Sequence, residues 1–247
     1  MRFLVTGSSR GLGLGLCAVL SRGGQEVLAV CREPTPELRA LNVEIVDGIE
    51  LTDDASVQAL TARTGGGLDR LILNAAVNCD APTLEDINVS DLARTFDVNA
   101  LGPVRVTLAC LPNLNPGAKI MLVGVGVMAL NVRAPSIGNY GYRMSKAALT
   151  SFGFGLARDL RHRGIAVLVS APGPVNTDML RDVAAEGRTT FDPSLAPAAD
   201  SVAAQLLDRL DALTLEGSPA WEETPTGDPI SVVNGAIKNH PPAPAGL

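Results

Sequence analysis

A tyrosine and a lysine four residues apart, Tyr142 and Lys146, are the side chains of this sequence best suited to acid–base chemistry. They lie in a strongly helical run, where positions i and i+4 share a face, so both side chains can reach one cleft. A nearby ammonium lowers the pKa of a phenol from about 10 towards neutral pH. Such a phenol can protonate a carbonyl oxygen, or deprotonate an alcohol, while hydride moves to or from a nicotinamide.

A second candidate site is the glycine-rich turn that runs from Thr6 to Gly13 with the sequence TGSSRGLG. An apolar strand is predicted before it and a helix after it. Glycines let the backbone approach an anion closely, and the helix start offers unpaired N–H groups and a positive dipole end. A second predicted strand follows about 20 residues on, which is the context of a dinucleotide site. The turn therefore predicts a bound dinucleotide.

The end of that second strand indicates which dinucleotide binds. Many dinucleotide folds place an acidic residue there, which holds the ribose 2′-hydroxyl. This chain has Arg32 instead, and Arg10 lies inside the glycine turn. A guanidinium can bind a 2′-phosphate with several donors. Each arginine alone could be an ordinary surface residue, but two at these positions predict NADP(H) rather than NAD(H).

Short apolar runs alternate with helical stretches along the chain, which predicts an α/β fold of the Rossmann type. We expect a doubly wound parallel sheet with right-handed crossovers in a single domain over 1–233, followed by a Pro-rich tail over 234–247. Residues 172–195 carry several Pro and Gly without a strong period and are predicted to form a loop over the site. The predicted strands are Phe3–Thr6, Val27–Cys31, Val43–Val46, Leu71–Asn74, Ile120–Val125 and Ala166–Ser170. The predicted helices are Gly13–Ser21, Ala55–Arg63, Ser90–Leu111, Tyr142–Arg161 and Ala198–Leu213.

Composition excludes several function classes. The net charge of the 247-residue chain is −6 and only 3% of its residues are aromatic, so nucleic acid is not an expected partner. Four scattered cysteines and two histidines predict no metal site. The first strand leaves no room for a signal peptide, and no apolar run approaches the ~20 residues of a membrane span. We expect a cytoplasmic protein that does not contact membranes.

With these motifs in place, the sequence resembles the short-chain dehydrogenase/reductase family over nearly its whole length. The family's Thr-Gly-x-x-x-Gly-x-Gly motif matches the glycine turn, its Tyr-x-x-x-Lys pair matches Tyr142 and Lys146, and its helix-borne asparagine matches Asn99. The resemblance implies that Tyr142 is the general acid/base. It implies that Lys146 lowers the phenol pKa and holds the nicotinamide ribose, while Asn99 supports a proton-relay water.

The resemblance also implies the cofactor contacts and the assembly. Residues 10–15, 31–33 and 142–149 resemble the small NADPH-dependent carbonyl reductases of the sniffer type, and Trp221–Ile230 resembles their closing strand. A homodimer or homotetramer through Ser90–Leu111 and Tyr142–Arg161 is implied as well. The implied cofactor contacts are Gly7, Ser9, Arg10, Gly11, Leu12, Gly13, Arg32, Asn74, Ala75, Tyr142, Lys146, Pro172, Gly173, Val175 and Thr177.

The sequence departs from the family at two places. After the fourth strand it reads Leu73-Asn74-Ala75-Ala76 where the family has Asn-Asn-Ala-Gly, so one Asn and the Gly are replaced. After the fifth strand the family carries a serine that holds the substrate carbonyl, and here that position is Val125 or Gly126, depending on the alignment. Neither residue has a side-chain donor, so the catalytic serine is absent.

Three explanations for the missing serine stay open. Another polar group, such as Asn131, Ser136 or Asn139, replaces it. Alternatively, the enzyme remains a reductase with a weakened oxyanion site, at a cost of about 3–4 kcal/mol in the transition state. In the third, hydride transfer is lost and the scaffold supports isomerisation, dehydration or cyclisation. A protein that only senses the cofactor is a weaker alternative, because it has no need of Tyr142, Lys146 and Asn99 together.

The residues around the missing serine are apolar, which predicts a hydrophobic small-molecule substrate. A run of apolar residues beside a strand is also typical of the core, so this expectation rests on their position next to the active tyrosine. The residues concerned are Val125, Val127, Met128, Ala129, Leu130, Met179 and Leu180.

Overall fold

The computed structural model describes residues 1–124, 138–223, 231–233 and 236–238. Within these residues, seven parallel strands form one sheet in the order β3-β2-β1-β4-β5-β6-β7. The first four are β1 (Arg2–Thr6), β2 (Glu26–Val30), β3 (Glu44–Val46) and β4 (Leu68–Leu73). They are followed by β5 (Leu114–Val123), β6 (Ala166–Ala171) and β7 (Ala220–Glu223). The Rossmann-type α/β fold expected from the sequence is confirmed.

Helices cover both faces of this sheet. One face packs against α1 (Gly11–Arg22), α2 (Pro36–Arg39) and α9 (Ala199–Ala212). The other packs against α3 (Asp54–Gln58), α4 (Leu60–Arg63), α6 (Gly102–Cys110) and α7 (Tyr140–Leu160). The central strands are therefore buried on both sides, which explains why they read as continuous apolar runs instead of alternating ones.

The sheet places its functional residues at the carboxyl ends of the strands. In the parallel register, Val5 of β1 pairs with Ile72 of β4, and Val123 of β5 pairs with Ser170 of β6. The strand order reverses between β1 and β4, because the chain continues outward in both directions from this pair. Ligands of open α/β sheets bind in the crevice at such a switch point.

Two predicted elements have different bounds. Strand β5 begins at Leu114 instead of Ile120, because its pairing with β4 shifts register between Leu68 and Arg70. Pro116 and Gly117 lie in this irregular stretch, where Gly117 has a φ of 79°, and this dipeptide reads as a loop in sequence. The predicted helix Ala55–Arg63 is divided into α3 and α4.

The predicted helix Ser90–Leu111 is interrupted by a π-helical turn. It consists of α5 (Val89–Phe96), a π-helical turn (Asp97–Leu101) and α6. A π turn inserts an extra residue into a helix and is frequent at functional sites. Here it contains Asn99.

The segment 172–195, predicted to be a loop, contains the helix α8 (Asp178–Ala185) and a 3₁₀ turn (Pro193–Leu195). The Thr177 hydroxyl caps α8 by accepting a hydrogen bond from Leu180 N, and Val183 is buried beneath the helix. A helix of two turns between Pro- and Gly-rich stretches is too short for its hydrophobic periodicity to be detected in the sequence.

The last described elements are two short antiparallel strands, β8 (Ser231–Val233) and β9 (Ala236–Lys238). The predicted boundary between domain and tail, at 233/234, coincides with the end of β8, and β9 lies beyond it. Most of the expected closing strand Trp221–Ile230 lies outside the described residues, apart from its first three residues in β7.

Candidate active site

The glycine turn joins β1 to α1 and leaves the start of α1 open. Arg10 occupies the N-cap position in an extended conformation, and its side chain forms no capping hydrogen bond with the first helical turn. The first N–H groups of a helix have no partner within the helix, and with the helix dipole they form an anion site. The turn therefore has donors available for a phosphate.

Two glycines of the turn have no room for a side chain. Gly7 has a φ of +70°, and a Cβ there would lie 2.7 Å from the Cα of Ala75. A Cβ on Gly13 would lie 2.1 Å from the carbonyl oxygen of Gly7. Both contacts are to backbone atoms, so neither could be relieved by moving a side chain.

The turn is tied to the end of β4 by Thr6. Its hydroxyl accepts hydrogen bonds from Asn74 N (3.0 Å) and Ala75 N (3.2 Å), and Asn74 Nδ2 donates to Thr6 O (3.0 Å). The departure from the family at Asn74-Ala75-Ala76 keeps these bonds, because two of them use backbone N–H groups and the third uses the retained asparagine.

A cleft of about 1270 Å³ extends from this turn along the strand ends to Tyr142. All the cofactor contacts proposed from the sequence, from Gly7 to Thr177, line it. Met179 and Leu180, expected near the substrate, line it as well. The lining also includes residues that were not selected from the sequence and that no motif marks, among them Asn78, Arg94 and Phe191.

Arg10 and Arg32 lie at the cleft with their side chains in solvent. The Arg32 side chain is 60% exposed and its Nη1 lies 3.6 Å from Glu50 Oε2. An exposed pair of this kind contributes little to stability, so the guanidinium can exchange Glu50 for a phosphate at small cost. Glu50 also lines the cleft and is the competing partner of Arg32.

Tyr142 and Lys146 face each other on the first turns of α7. Lys146 Nζ lies 5.7 Å from the centre of the Tyr142 ring and donates a 2.7 Å hydrogen bond to Val123 O at the end of β5. Only 1% of Lys146 is exposed. The structure therefore places an ammonium beside a phenol at the carboxyl end of the sheet.

Burial sets the protonation of this pair. It raises the pKa of Tyr142 to about 12 and lowers the pKa of Lys146 to about 8. Both shifts have the sign of desolvation, which disfavours a phenolate and an ammonium alike. Desolvation alone accounts for the upward shift of the Tyr142 pKa, and the lowering effect of Lys146 on that pKa stays a prediction.

Asn99 lies behind the cleft and does not line it. Its Oδ1 accepts a hydrogen bond from Val77 N (2.8 Å), while Nδ2 donates to Val77 O (2.8 Å) and to Ser145 Oγ (3.1 Å). Ser145 Oγ in turn donates to Tyr142 O (2.8 Å). The fully buried amide thus ties the π turn to the loop after β4 and to α7, and its contacts are those of a positioning residue.

A polar cluster that the sequence did not predict surrounds the start of α7. Asn139 Oδ1 accepts hydrogen bonds from Asn78 Nδ2 (2.8 Å) and Arg188 Nη1 (2.6 Å). Arg188 Nη1 also donates to Asn78 Oδ1 (2.8 Å), and Arg188 Nε donates to Glu186 Oε2 (2.7 Å). This cluster joins the chain after β4, the start of α7 and the chain after α8, which are distant in sequence.

Arg188→Met is expected to lower the free energy of unfolding by about 2–4 kcal/mol, because the amide oxygens of buried Asn139 and half-buried Asn78 lose a charged donor. Arg188 is only 2% exposed. Urea unfolding measures the change. Arg181→Met is the matched control, since the Arg181 side chain is 53% exposed on α8 and its loss should change stability by less than about 0.5 kcal/mol. Equal effects of the two variants would contradict the argument.

Several expected pocket residues fall outside the described part of the chain. They include both candidates for the missing serine position, two of its three possible replacements and most of the expected apolar lining: Val125, Gly126, Val127, Met128, Ala129, Leu130, Asn131 and Ser136. The third possible replacement, Asn139, lines the cleft, with Oδ1 bound as described.

Neither a metal site nor a membrane span is found in the part of the chain that the structure describes. Its residues contain no cluster of His, Cys, Asp and Glu that could hold a metal ion. Among the same residues, no helix is both long and apolar enough to cross a bilayer.

Comparison of the sequence and the fold with known proteins finds similar dehydrogenases and reductases. The sequence profile described as short chain dehydrogenase matches residues 2–187. The 1-hydroxy-2-glutathionyl-2-methyl-3-butene dehydrogenase of Rhodococcus sp. (strain AD45) is 33% identical over 90% of this chain and 95% of its own. The NADPH-bound carbonyl reductase from chicken fatty liver superposes with a TM-score of 0.77 at 28% identity, covering 90% of this chain and 95% of that one. The carbonyl reductase Sniffer of D. melanogaster shares the fold, with a TM-score of 0.75 at 23% identity over 90% and 96% of the two chains.

Proposed function

This chain belongs to the short-chain dehydrogenase family, and we propose that it is an NADP(H)-dependent oxidoreductase that reduces a carbonyl, or oxidises the alcohol, on a hydrophobic small molecule. The observation that carries the proposal is the juxtaposition of Tyr142 and Lys146 on the cleft that begins at the glycine turn. A phosphate-binding turn and a half-buried acid on one cleft are what a hydride transfer with coupled proton transfer requires.

In the proposed reaction, a bound nicotinamide cofactor supplies or accepts the hydride. Tyr142 gives the proton of its phenol to the carbonyl oxygen in the reductive direction and takes it back in the oxidative one. Tyr142 must carry its proton for this role, and the upward shift of its pKa through burial favours the protonated phenol. Lys146 stabilises the phenolate that remains, because its ammonium lies beside the ring.

The direct test follows the absorbance of NADPH while the purified protein is mixed with a panel of hydrophobic ketones and aldehydes. The panel run in reverse, with NADP⁺ and alcohols, should include a glutathionyl alcohol of the kind named for the Rhodococcus relative. Turnover on at least one member is expected. Tight NADPH binding without any turnover would overturn the proposal.

We propose NADP(H) over NAD(H) on the positions of Arg10 and Arg32 and on the cofactor named for the chicken-liver structure. Arg32→Ala is expected to raise the Kd for NADPH about tenfold, because a charge-assisted bond to the 2′-phosphate is lost, and to leave NADH affinity unchanged. Fluorescence titration with both cofactors measures this. Glu50→Gln should instead lower the Kd for NADPH, since it removes the carboxylate that competes for Arg32. Equal affinity for the two cofactors, unchanged by Arg32→Ala, would refute the assignment.

A hydrophobic substrate is supported by the apolar residues that line the cleft along and after α8. These are Met179, Leu180, Val183 and Phe191. The panel should therefore show rates that increase with the apolar area of the carbonyl compound, since each buried CH₂ contributes about 0.8 kcal/mol.

A non-redox enzyme on the same scaffold is the second candidate, because neither Val125 nor Gly126 can supply the hydroxyl of the family's serine. In that case Tyr142 would move a proton in an isomerisation, dehydration or cyclisation. Product would then form without any change in NADPH absorbance.

We propose that the protein assembles as a homodimer or homotetramer. Large apolar side chains are exposed on the outer sides of the helices between β4 and β6, namely Leu101 (43%), Leu108 (64%), Tyr140 (38%) and Met144 (58%). Sizes measured by light scattering should exceed that of the 25.6 kDa monomer.

We also propose a cytoplasmic location. All four cysteines are free thiols, and Cys17, Cys31 and Cys110 are buried. Burial raises the pKa of Cys17 to about 11 and that of Cys110 to about 12, so both remain unreactive thiols in a reducing compartment.

A further inference from the structure

The helix that carries Tyr142 has its N-terminus capped by a residue from a distant segment. Asn139 precedes α7 in the left-handed region, with a φ of 56°, and its own side chain caps nothing in the helix. The first N–H groups of the helix, those of Gly141 and Tyr142, donate instead to the carboxylate of Asp80, at 2.8 Å to Oδ1 and 2.7 Å to Oδ2. Asp80 follows β4 and is 7% exposed. A single carboxylate therefore binds the backbone of the proposed acid directly.

The two segments approach each other too closely for ordinary side chains. A Cβ on Gly138 would lie 2.5 Å from Ala81 O, and one on Gly141 would lie 2.8 Å from Asp80 Oδ1. Gly138 also has a φ of +65°, which few other residues adopt without strain. Glycines on either side of Asn139 thus allow the chain after β4 to reach the start of α7.

The charge of Asp80 suits this position. A carboxylate is favourable at a helix N-terminus, where the dipole is positive and the first N–H groups are unpaired. The surrounding cluster contacts the backbone of Asp80, since Asp80 N donates to Asn78 Oδ1 (3.4 Å) and Asn78 is bound to Arg188.

We infer that Asp80 is a positioning residue for Tyr142: its carboxylate fixes the first turn of α7 and so aims the phenol at the substrate carbonyl. The inference rests on the proposed function for its effect on the reaction. Lys146 is one turn further along α7 and is held separately through Val123 O. Losing Asp80 should therefore displace the phenol relative to the ammonium.

Asp80→Ala is expected to lower kcat about 10- to 100-fold, because a displacement of about 1 Å from the reacting geometry has an effect of that size. The Kd for NADPH should not change, since the glycine turn and Arg32 lie on other elements. Asp80→Asn retains one oxygen acceptor, and its loss of kcat should be intermediate. Steady-state kinetics with the best carbonyl substrate, together with fluorescence titration of NADPH, separate the two quantities.

A spectroscopic readout does not depend on turnover. The chain has two tyrosines, so Tyr140→Phe leaves Tyr142 as the single tyrosine. With tyrosine labelled at Cζ with ¹³C, this background should give one signal, that of the half-buried Tyr142 phenol, at neutral pH. Adding Asp80→Ala should move the signal towards that of a solvent-exposed tyrosine.

Asp53→Ala is the control, because Asp53 also accepts hydrogen bonds from two N–H groups at a helix start, those of Ala55 (2.8 Å) and Ser56 (3.2 Å), but it lies on α3. It should change neither kcat nor the tyrosine signal. A folded Asp80→Ala protein with unaltered kcat and an unaltered tyrosine signal would overturn the inference. If Asp80→Ala does not fold, the kcat and tyrosine signal of Asp80→Asn provide the same test. A parent protein that reduces no carbonyl would refute the proposed function alone, since the tyrosine signal still tests Asp80.

Discussion

Tyr142→Phe is expected to lower kcat for carbonyl reduction by about 10²- to 10⁴-fold, the contribution of a positioned general acid. Phenylalanine keeps the ring beside Lys146 and removes only the proton that the carbonyl oxygen needs. NADPH affinity should stay within about twofold, because the phosphate contacts lie at the other end of the cleft. Stopped-flow measurement of NADPH oxidation gives the rate, and a binding titration gives the affinity.

Tyr140→Phe provides the control for this experiment. Tyr140 is on the first turn of the same helix, 38% exposed, and is not among the residues that line the cleft. Its variant should keep the activity of the unchanged protein. Activity that survives in Tyr142→Phe would remove the phenol from the mechanism and favour a different proton donor.

Gly13→Ala is expected to raise the Kd for NADPH by about 150-fold or more. Overpacking a tight site costs up to roughly 3 kcal/mol, and here the strain distorts the turn that binds the phosphate. The added Cβ would lie 2.1 Å from Gly7 O and 2.7 Å from Asn74 Nδ2. Relief requires the turn to move away from α1, which separates the phosphate from the N–H groups of the helix. Fluorescence titration gives Kd, and thermal unfolding shows how much strain reaches the fold.

Gly155→Ala is the matched substitution at a helical glycine with open space. Gly155 lies inside α7, and a Cβ added there would have no neighbouring atom within 4 Å. Alanine there should stabilise the protein by about 0.5–1 kcal/mol, because it restricts the unfolded chain and favours helix. A Gly13→Ala protein that binds NADPH as tightly as Gly155→Ala would show that the turn tolerates a side chain.

The strands and the motif positions could be predicted because they depend on local patterns. Phe3–Thr6 and Ala166–Ser170 are apolar runs between turn signals, and the structure places strands at both. The glycine turn and the Tyr142–Lys146 pair are fixed by spacing along one element. Such features require no knowledge of which segments meet in space.

The pKa of Tyr142 and the cluster around Arg188 could not be predicted in this way. The phenol pKa depends on how much water the fold removes from the ring, which the four-residue spacing does not contain. Asp80 and Arg188 bind α7 from segments separated from it by dozens of residues. No periodicity or motif marks them, since their partners are backbone N–H groups and amide oxygens.

The π turn at Asp97–Leu101 sets how α6 is rotated relative to α5, the two helices that it joins. One inserted residue rotates α6 against α5 by roughly 100° relative to an unbroken helix. The amide of Asn99 faces inward to Val77, while Leu101 and Leu108 face solvent. Deleting one residue of this turn would restore an ordinary helix, but either Asn99 would turn away from Val77 or the leucines would turn away from the outer surface. The π turn therefore allows one helical segment to hold Asn99 against its buried partners and to present Leu101 and Leu108 on the outer surface.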